Sequence, residues 1–173
     1  MDSLSRSGRG TYALVLRLDS HANRFIGKLG RFNFCPGYYV YVGSAMGSGG
    51  LVGRLKHHLT PTTKPHWHVD YLRQAARLEG IWFVESDARR EHVWASTLLA
   101  MPGAAIPVPR FGASDCGCAS HLFYFLSPPQ LDVFQALLDE RFPGHERIRS
   151  QTVDVLSLLD GLVTPGKPVL RTQ

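Results

Sequence analysis

Gly37-Tyr38-Tyr39-Val40-Tyr41-Val42-Gly43-Ser44-Ala45 leads through Met46 to Gly50 into Leu51-Val52-Gly53-Arg54-Leu55-Lys56-His57-His58-Leu59. The stretch reads as an aromatic strand, a glycine-rich turn and a short basic helix. Leu51, Leu55 and Leu59 recur at the spacing of one helical stripe, and Thr60-Pro61 ends the pattern. Arg54 and His58, four residues apart, share a helix face, while His57 is expected to face solvent. Tyrosine hydroxyls, an arginine and a histidine are thus gathered around one turn. Such groups can grip a phosphodiester and move a proton beside it.

Working outward, Tyr12, Leu14, Leu16 and Leu18 alternate with Ala13, Val15 and Arg17, the pattern of a half-buried strand. Asp19 to Asn23 is a turn cluster. Phe25 to Phe34 reads as a second strand broken by Gly27 and Gly30, and Tyr38 to Val42 as a third, so an antiparallel meander is expected. Pro65 suits the first turn of a helix carrying Trp67, Tyr71, Leu72, Ala75 and Leu78 and closed by Gly80. Ile81 to Val84 is a short apolar strand. Ser86-Asp87 can cap a third helix from about Ala88 to Met101, and Leu122 to Leu126 forms a further strand. A helix from Pro128 to Phe142 follows, and Val155, Leu156, Leu158, Leu159 and Leu162 form a last helical pattern.

The fold class is α/β in the α+β sense: a small antiparallel sheet of about three core strands with extra strands, flanked by helices. The expected divisions are a loose tail over 1–9, a main domain over 10–126 and a helical extension over 127–173 packed on it. The 173 residues can bury a core without staples. Apolar residues at 44% argue against disorder. A net charge of +5 favours an anionic partner, nucleic acid first. Cys35, Cys116 and Cys118 are an odd set, which argues against a disulfide framework. The first ten residues are polar, and no run approaches the roughly 18 apolar residues of a membrane span. A soluble, cytoplasmic protein with reduced thiols is expected.

Gly10-Thr11-Tyr12 and Tyr41-Val42-Gly43 resemble the two signature tripeptides of the GIY-YIG nucleases. Residues 10–126 look like a subgroup of that superfamily found alone or, in some archaea, joined to an endonuclease III-type DNA glycosylase. Its marks here are Tyr-Val-Gly-Ser-Ala before a Gly-Gly-Leu turn, His66-Trp67-His68-Val69-Asp70-Tyr71-Leu72, and Ser114-Asp115-Cys116-Gly117-Cys118-Ala119-Ser120-His121-Leu122-Phe123. The resemblance implies a metal-dependent endonuclease hydrolysing DNA phosphodiesters, with a loose link to DNA repair and base-excision repair proteins. Tyr12 or Tyr41 would be the base or its orienting partner. Arg54 would hold the phosphate, His58 would assist, and Glu91 on a later helix would hold Mg2+ or Mn2+. Gly43, Ser44, Lys56, His66, His68 and His121 are candidate contacts to nucleic acid.

One departure concerns spacing. The two tripeptides usually lie about ten residues apart on adjacent strands, but almost thirty separate Tyr12 from Tyr41. An inserted strand, Phe25 to Phe34, would account for it. A second register takes Gly37-Tyr38-Tyr39 as the first tripeptide, yet tripeptides four residues apart cannot occupy neighbouring strands.

Two alternatives belong to other classes. The aromatic strand and basic helix could form a non-catalytic module that binds a nucleic-acid backbone and stacks bases. Cys116-x-Cys118-x-x-His121 could supply three ligands to zinc in a small interaction domain, with Cys35 or another histidine as fourth. Against zinc, the small residues around these cysteines also fit a tight loop bordering the cleft, where His121 or Asp115 helps. His66 and His68 point about 200° apart on a helix, so they do not grip one ion there. His66 and Asp70 have the spacing of a pair.

Overall fold

The computed structural model describes residues 8–152. The elements run β1 (Gly10–Leu18), β2 (Ala22–Phe25), β3 (Arg31–Phe34), β4 (Gly37–Ala45), α1 (Gly50–Leu59), α2 (His68–Arg73), β5 (Arg77–Glu85), α3 (Glu91–Ala100), β6 (Leu122–Phe125), α4 (Leu131–Arg141) and β7 (Arg149–Thr152). Five strands form one sheet in the order β6-β4-β1-β5-β7, antiparallel throughout. The α+β class is as the sequence implies.

The alternation of β1 is realised, but the strand is covered on both faces rather than half-buried. Tyr12, Leu14, Leu16 and Leu18 enter one core with Tyr39 and Tyr41 of β4, Leu51 and Leu55 of α1, and Val69 and Leu72 of α2. Ala13 enters the other with Val40, Val42, Trp82, Trp94 of α3 and Phe134 of α4. Strands covered on both faces have no polar side, which explains the apolar run Ile81 to Val84.

The insertion departs from expectation. Phe25 to Phe34 is not one strand in the main sheet. β2 and β3 form a separate two-stranded hairpin turned by a 3-10 segment at Gly27–Leu29. Gly27 and Gly30 have φ of 47° and 100°, conformations that glycine adopts without strain. With the hairpin folded off the sheet, β1 pairs directly with β4, and Tyr12 faces Gly43 across the ladder.

The helix expected to close at Gly80 ends at Arg73. The Arg73 guanidinium donates to the carbonyls of His58, Leu59 and Ala76, which anchors the chain as it leaves α2. Leu78 then pairs with Leu16 on β1 and enters the same core. Burial of that side chain overrides the helical periodicity of the segment. Gly80 admits the backbone of β7, since a Cβ there would lie 2.9 Å from the Gln151 carbonyl oxygen.

α3 starts at Glu91, three residues later than expected. Ser86 Oγ takes the Ala88 N–H in a local turn, and the Arg90 N–H donates to Thr11 Oγ1 at 3.1 Å. Beyond residue 126, α4 stacks Phe134 on Trp82 at 5.4 Å. That segment also supplies β7, so it is not purely helical. The pattern Val155 to Leu162 lies outside the described residues. No helix among the described residues is long and apolar enough to cross a membrane.

Candidate active site

Tyr12 and His58 meet because β1 and α1 share a core. The Tyr12 hydroxyl lies 2.8 Å from His58 Nε2, and each residue is 2% exposed. Gly43, opposite Tyr12, makes the room: a Cβ there would run into the Tyr12 ring. Behind His58 stands Asp70 of α2, with Oδ1 3.7 Å from Nδ1. At that distance His58 Nδ1 has no hydrogen-bond partner among the described residues, but the negative carboxylate still favours the tautomer with Nδ1–H facing it, which leaves Nε2 to accept from the Tyr12 hydroxyl. Tyr12, His58 and Asp70 form a buried line.

Asp70 is well supported. Its carboxylate accepts the backbone N–H groups of His66 and Trp67 at 2.9 and 3.0 Å, and it pairs with His57 at 3.1 Å. Burial pushes the Asp70 carboxyl up, but the nearby His58 ring, the backbone N–H groups of Trp67 and His66, and the His57 ring outweigh it and hold the acid well below the usual carboxylate range. Burial lowers His58; Asp70 opposes that shift, while His57 and Arg54 add to it. The Tyr12 hydroxyl is pushed well above its ordinary value, mainly by burial and then by Tyr41, with Arg54 opposing. At neutral pH the line therefore holds a neutral tyrosine, a neutral imidazole and an ionised carboxylate.

In front of Tyr12 opens a cleft of about 480 Å³. Tyr41, Gly43 and Ser44 of β4 line it, together with Arg54, Trp67, His68, Glu91, Asp115 and His121. Burial raises Tyr41 too, with Arg54 opposing. The Arg54 guanidinium lies over the Trp67 ring at 4.1 Å. Among the described residues no carboxylate pairs with it, so its donors remain available to an anion. Trp67 holds the planar head in place by stacking and cation–π attraction.

Glu91 forms the opposite wall at the start of α3. The Thr11–Arg90 hydrogen bond sets Glu91 beside the end of β1 that carries Tyr12. Glu91 is 6% exposed, and its Oε2 is buried without a hydrogen-bond partner among the described residues. Oε1 is 3.6 Å from the exposed Arg89. A buried carboxylate oxygen left unmatched at a cleft wall suits a cation. One protein carboxylate with room for waters matches magnesium or manganese.

The third wall is the loop over residues 110–121. It closes through Arg110 N–H to the Ala119 carbonyl and His121 N–H to the Phe111 carbonyl, both 2.7 Å. Gly112, at φ 69°, lets the loop lie over Tyr41, where a Cβ would come within 2.8 Å of the ring. Its N–H donates to His68 Nδ1 at 2.9 Å, which leaves Nε2 of a neutral His68 as the donor. Burial lowers both His68 and His121; His92 lowers His121 further, while Glu91 and Asp115 oppose.

The structure gathers Tyr12, Tyr41, Arg54 and Glu91 at one cleft, with His58 behind Tyr12 rather than in the lining. His66 and His68 also reach it. Lys56 is exposed on α1 and is not part of the lining. Gly43 lies at the cleft, but its evident role is to seat Tyr12. His57 does not face solvent alone: it stacks edge-on against Trp67 at 4.5 Å and holds Asp70. Asp70, Trp67 and Arg89 escaped the sequence reading as site residues. The i, i+4 relation of His66 and Asp70 was the one available signal, and the contact runs through the His66 backbone instead of its ring.

A family model described as "Domain of unknown function DUF123" matches residues 11–141, from β1 through α4. No curated protein and no solved structure matches the chain. The matched span contains Tyr12, Tyr41, Arg54, His58, Asp70, Glu91 and the loop over 110–121, so the cleft lies within the family's shared region. The match covers well over half of the 173 residues, and the chain belongs to the family described as Domain of unknown function DUF123.

Proposed function

We propose that the protein is a GIY-YIG-type, divalent-metal-dependent endonuclease that hydrolyses DNA phosphodiester bonds. The supporting observation is the meeting, at one cleft, of a histidine-backed tyrosine with an arginine and a buried carboxylate oxygen that have no ionic or hydrogen-bonded partner among the described residues.

Hydrolysis requires a proton taken from water, charge relief at the phosphate and a stabilised leaving oxygen. The Tyr12 hydroxyl donates to His58 Nε2. As that proton passes to the imidazole, the phenolic oxygen takes one from a water in the cleft. Asp70 stabilises the imidazolium that forms, the part a carboxylate plays behind a catalytic histidine. This relay answers the high pKa of Tyr12, because no free phenolate has to accumulate in the buried site.

Arg54 presents a fork of N–H donors to two phosphate oxygens. The Tyr41 hydroxyl makes no hydrogen bond among the described residues, so it is available to orient the water or a phosphate oxygen. Glu91 would hold Mg2+ or Mn2+. When bound, that ion supplies Lewis-acid relief of charge at the phosphate and leaving oxygen. His66, His68 and Ser44 provide further donors for the strand on either side. Association with base-excision repair proteins extends the proposal by the family resemblance alone.

The test is cleavage of supercoiled, branched and abasic DNA by the purified chain with Mg2+ or Mn2+. Metal-dependent nicking abolished by Glu91→Ala is the expected result. Binding to all three substrates without cutting any would overturn the enzyme reading in favour of a non-catalytic nucleic-acid-binding module. Full-rate cleavage by Glu91→Ala would remove the metal from that carboxylate.

A further inference from the structure

A second group of side chains lies at the rim of the cleft and has no part in the proton relay. Cys116 and Cys118 come from the loop over 110–121, His121 from its closing end, and His92 from the first turn of α3. One ligand atom from each lies within 4.8 Å of all the others. Cys116 Sγ is 3.5 Å from His121 Nε2, and Cys118 Sγ is 3.1 Å from His92 Nδ1. A tetrahedral zinc ion with ordinary bond lengths would hold its sulfur and nitrogen ligands about 3.5 Å apart. The first pair already has that separation, and the second needs a shift of a few tenths of an ångström.

We propose that Cys116, Cys118, His121 and His92 form a closed, structural zinc site that ties the loop over 110–121 to α3. Two thiolates and two imidazoles are a full ligand set for zinc and leave no open position for chemistry. Soft sulfur donors also separate this site from Glu91, whose carboxylate oxygens suit a harder ion and whose Oε1 lies 4.0 Å from His92 Nε2.

The backbone is built to bring the loop ligands together. Arg110 is the one non-glycine residue with positive φ among the described residues, at 62°. It starts the turn that returns His121 beside Phe111. The Arg110 guanidinium also donates to the Cys118 carbonyl at 2.9 Å, fixing the chain between the two cysteines and His121. Cys35 is exposed and outside the cluster, so it is not the fourth ligand.

The consequence reaches the cleft. Asp115 and His121 stand on one of its walls and Glu91, next to His92, on another. A zinc cross-link between those walls sets their separation. The ion thus serves the cleft rather than a separate interaction module.

The experiment measures metal content of the full-length chain, purified under reducing conditions without chelator. About one zinc per chain is expected. Cobalt exchange should give the visible d–d bands and thiolate charge-transfer absorption of a tetrahedral sulfur and nitrogen site. Cys118→Ser and His92→Ala should each lose most of the zinc. Cys35→Ser and Glu91→Ala should keep it, whatever Glu91→Ala does to DNA cleavage, so this result and the nuclease reading stand or fall separately. A wild-type chain without zinc that also gives no tetrahedral cobalt spectrum would overturn the proposal. So would full zinc retention by a Cys116→Ser/Cys118→Ser double variant. Because the wild-type measurements decide the matter alone, an unstable variant does not shelter the idea.

Discussion

Replacing Tyr12 by Phe removes one oxygen and leaves the ring packed. The deleted hydroxyl is the partner of His58 Nε2 at 2.8 Å, and both groups are buried. The lost bond and the unsatisfied imidazole nitrogen cost about 1–3 kcal/mol of stability. A domain with a net stability of about 5–15 kcal/mol survives that loss. The loss of proton transfer is larger: a positioned base contributes about 10²- to 10⁴-fold, or roughly 3–5 kcal/mol of barrier. Tyr39→Phe is the matched control. Its ring is equally buried, and its hydroxyl donates to the Cys35 carbonyl at 2.6 Å, away from the cleft. The assay is single-turnover cleavage of a labelled duplex with Mn2+ or Mg2+ at a temperature where both variants are folded, with thermal melts run alongside. Both variants should lose comparable stability, and Tyr12→Phe alone should lose cleavage by about a hundredfold or more. Cleavage by Tyr12→Phe within about threefold of wild type, or an equal loss in Tyr39→Phe, would refute the relay.

Four other perturbations read different parts of the structure. His58 must be neutral to accept the Tyr12 proton, and burial holds its pKa below the ordinary 6.5, so single-turnover rates should be flat near neutrality and fall only at pH below that value. The same depressed pKa gives stability that is fully present above about pH 6.5 and lost as pH falls through the folded value, which denaturant midpoints measured across that range will register. Gly43→Ala drives a methyl into the Tyr12 ring and should cost about 1–3 kcal/mol. Gly53→Ala on α1, whose Cβ would meet nothing within 4 Å, should gain about 0.5–1 kcal/mol in the same melts. Phe134→Ala, beneath Trp82 and Trp94 on the face away from the cleft, should cost about 3–5 kcal/mol in urea unfolding without changing the metal dependence of cleavage.

How far the chain could be read from sequence follows from what periodicity reports. An alternating or helical pattern states which face of an element is apolar, and that sufficed for β1, for Tyr39 and Tyr41 on one side of β4, and for Leu51 and Leu55 on α1. It does not state what stands opposite. His57 shows the difference: helical spacing turns it away from Arg54, yet Trp67 and Asp70 arrive from another segment and enclose that side. Leu78 fails for the same reason, because its fit to a helical stripe counts for less than its place beside Leu16.

The candidate site divides along this line. Tyr12, Tyr41, Arg54 and Glu91 were accessible because motif resemblance carries tertiary information that one sequence lacks. Asp70 and His92 were not, since each becomes functional only through convergence across the fold: Asp70 behind a histidine on α1, and His92 beside thiols from a loop that follows it in sequence. The insertion makes the converse point. Nearly thirty residues separate the two tripeptides, yet β2 and β3 pair with each other and leave the β1–β4 ladder intact. An antiparallel pair is defined by its hydrogen bonds and facing side chains, so a self-contained hairpin can lengthen the connection without changing the register that seats Tyr12 over Gly43.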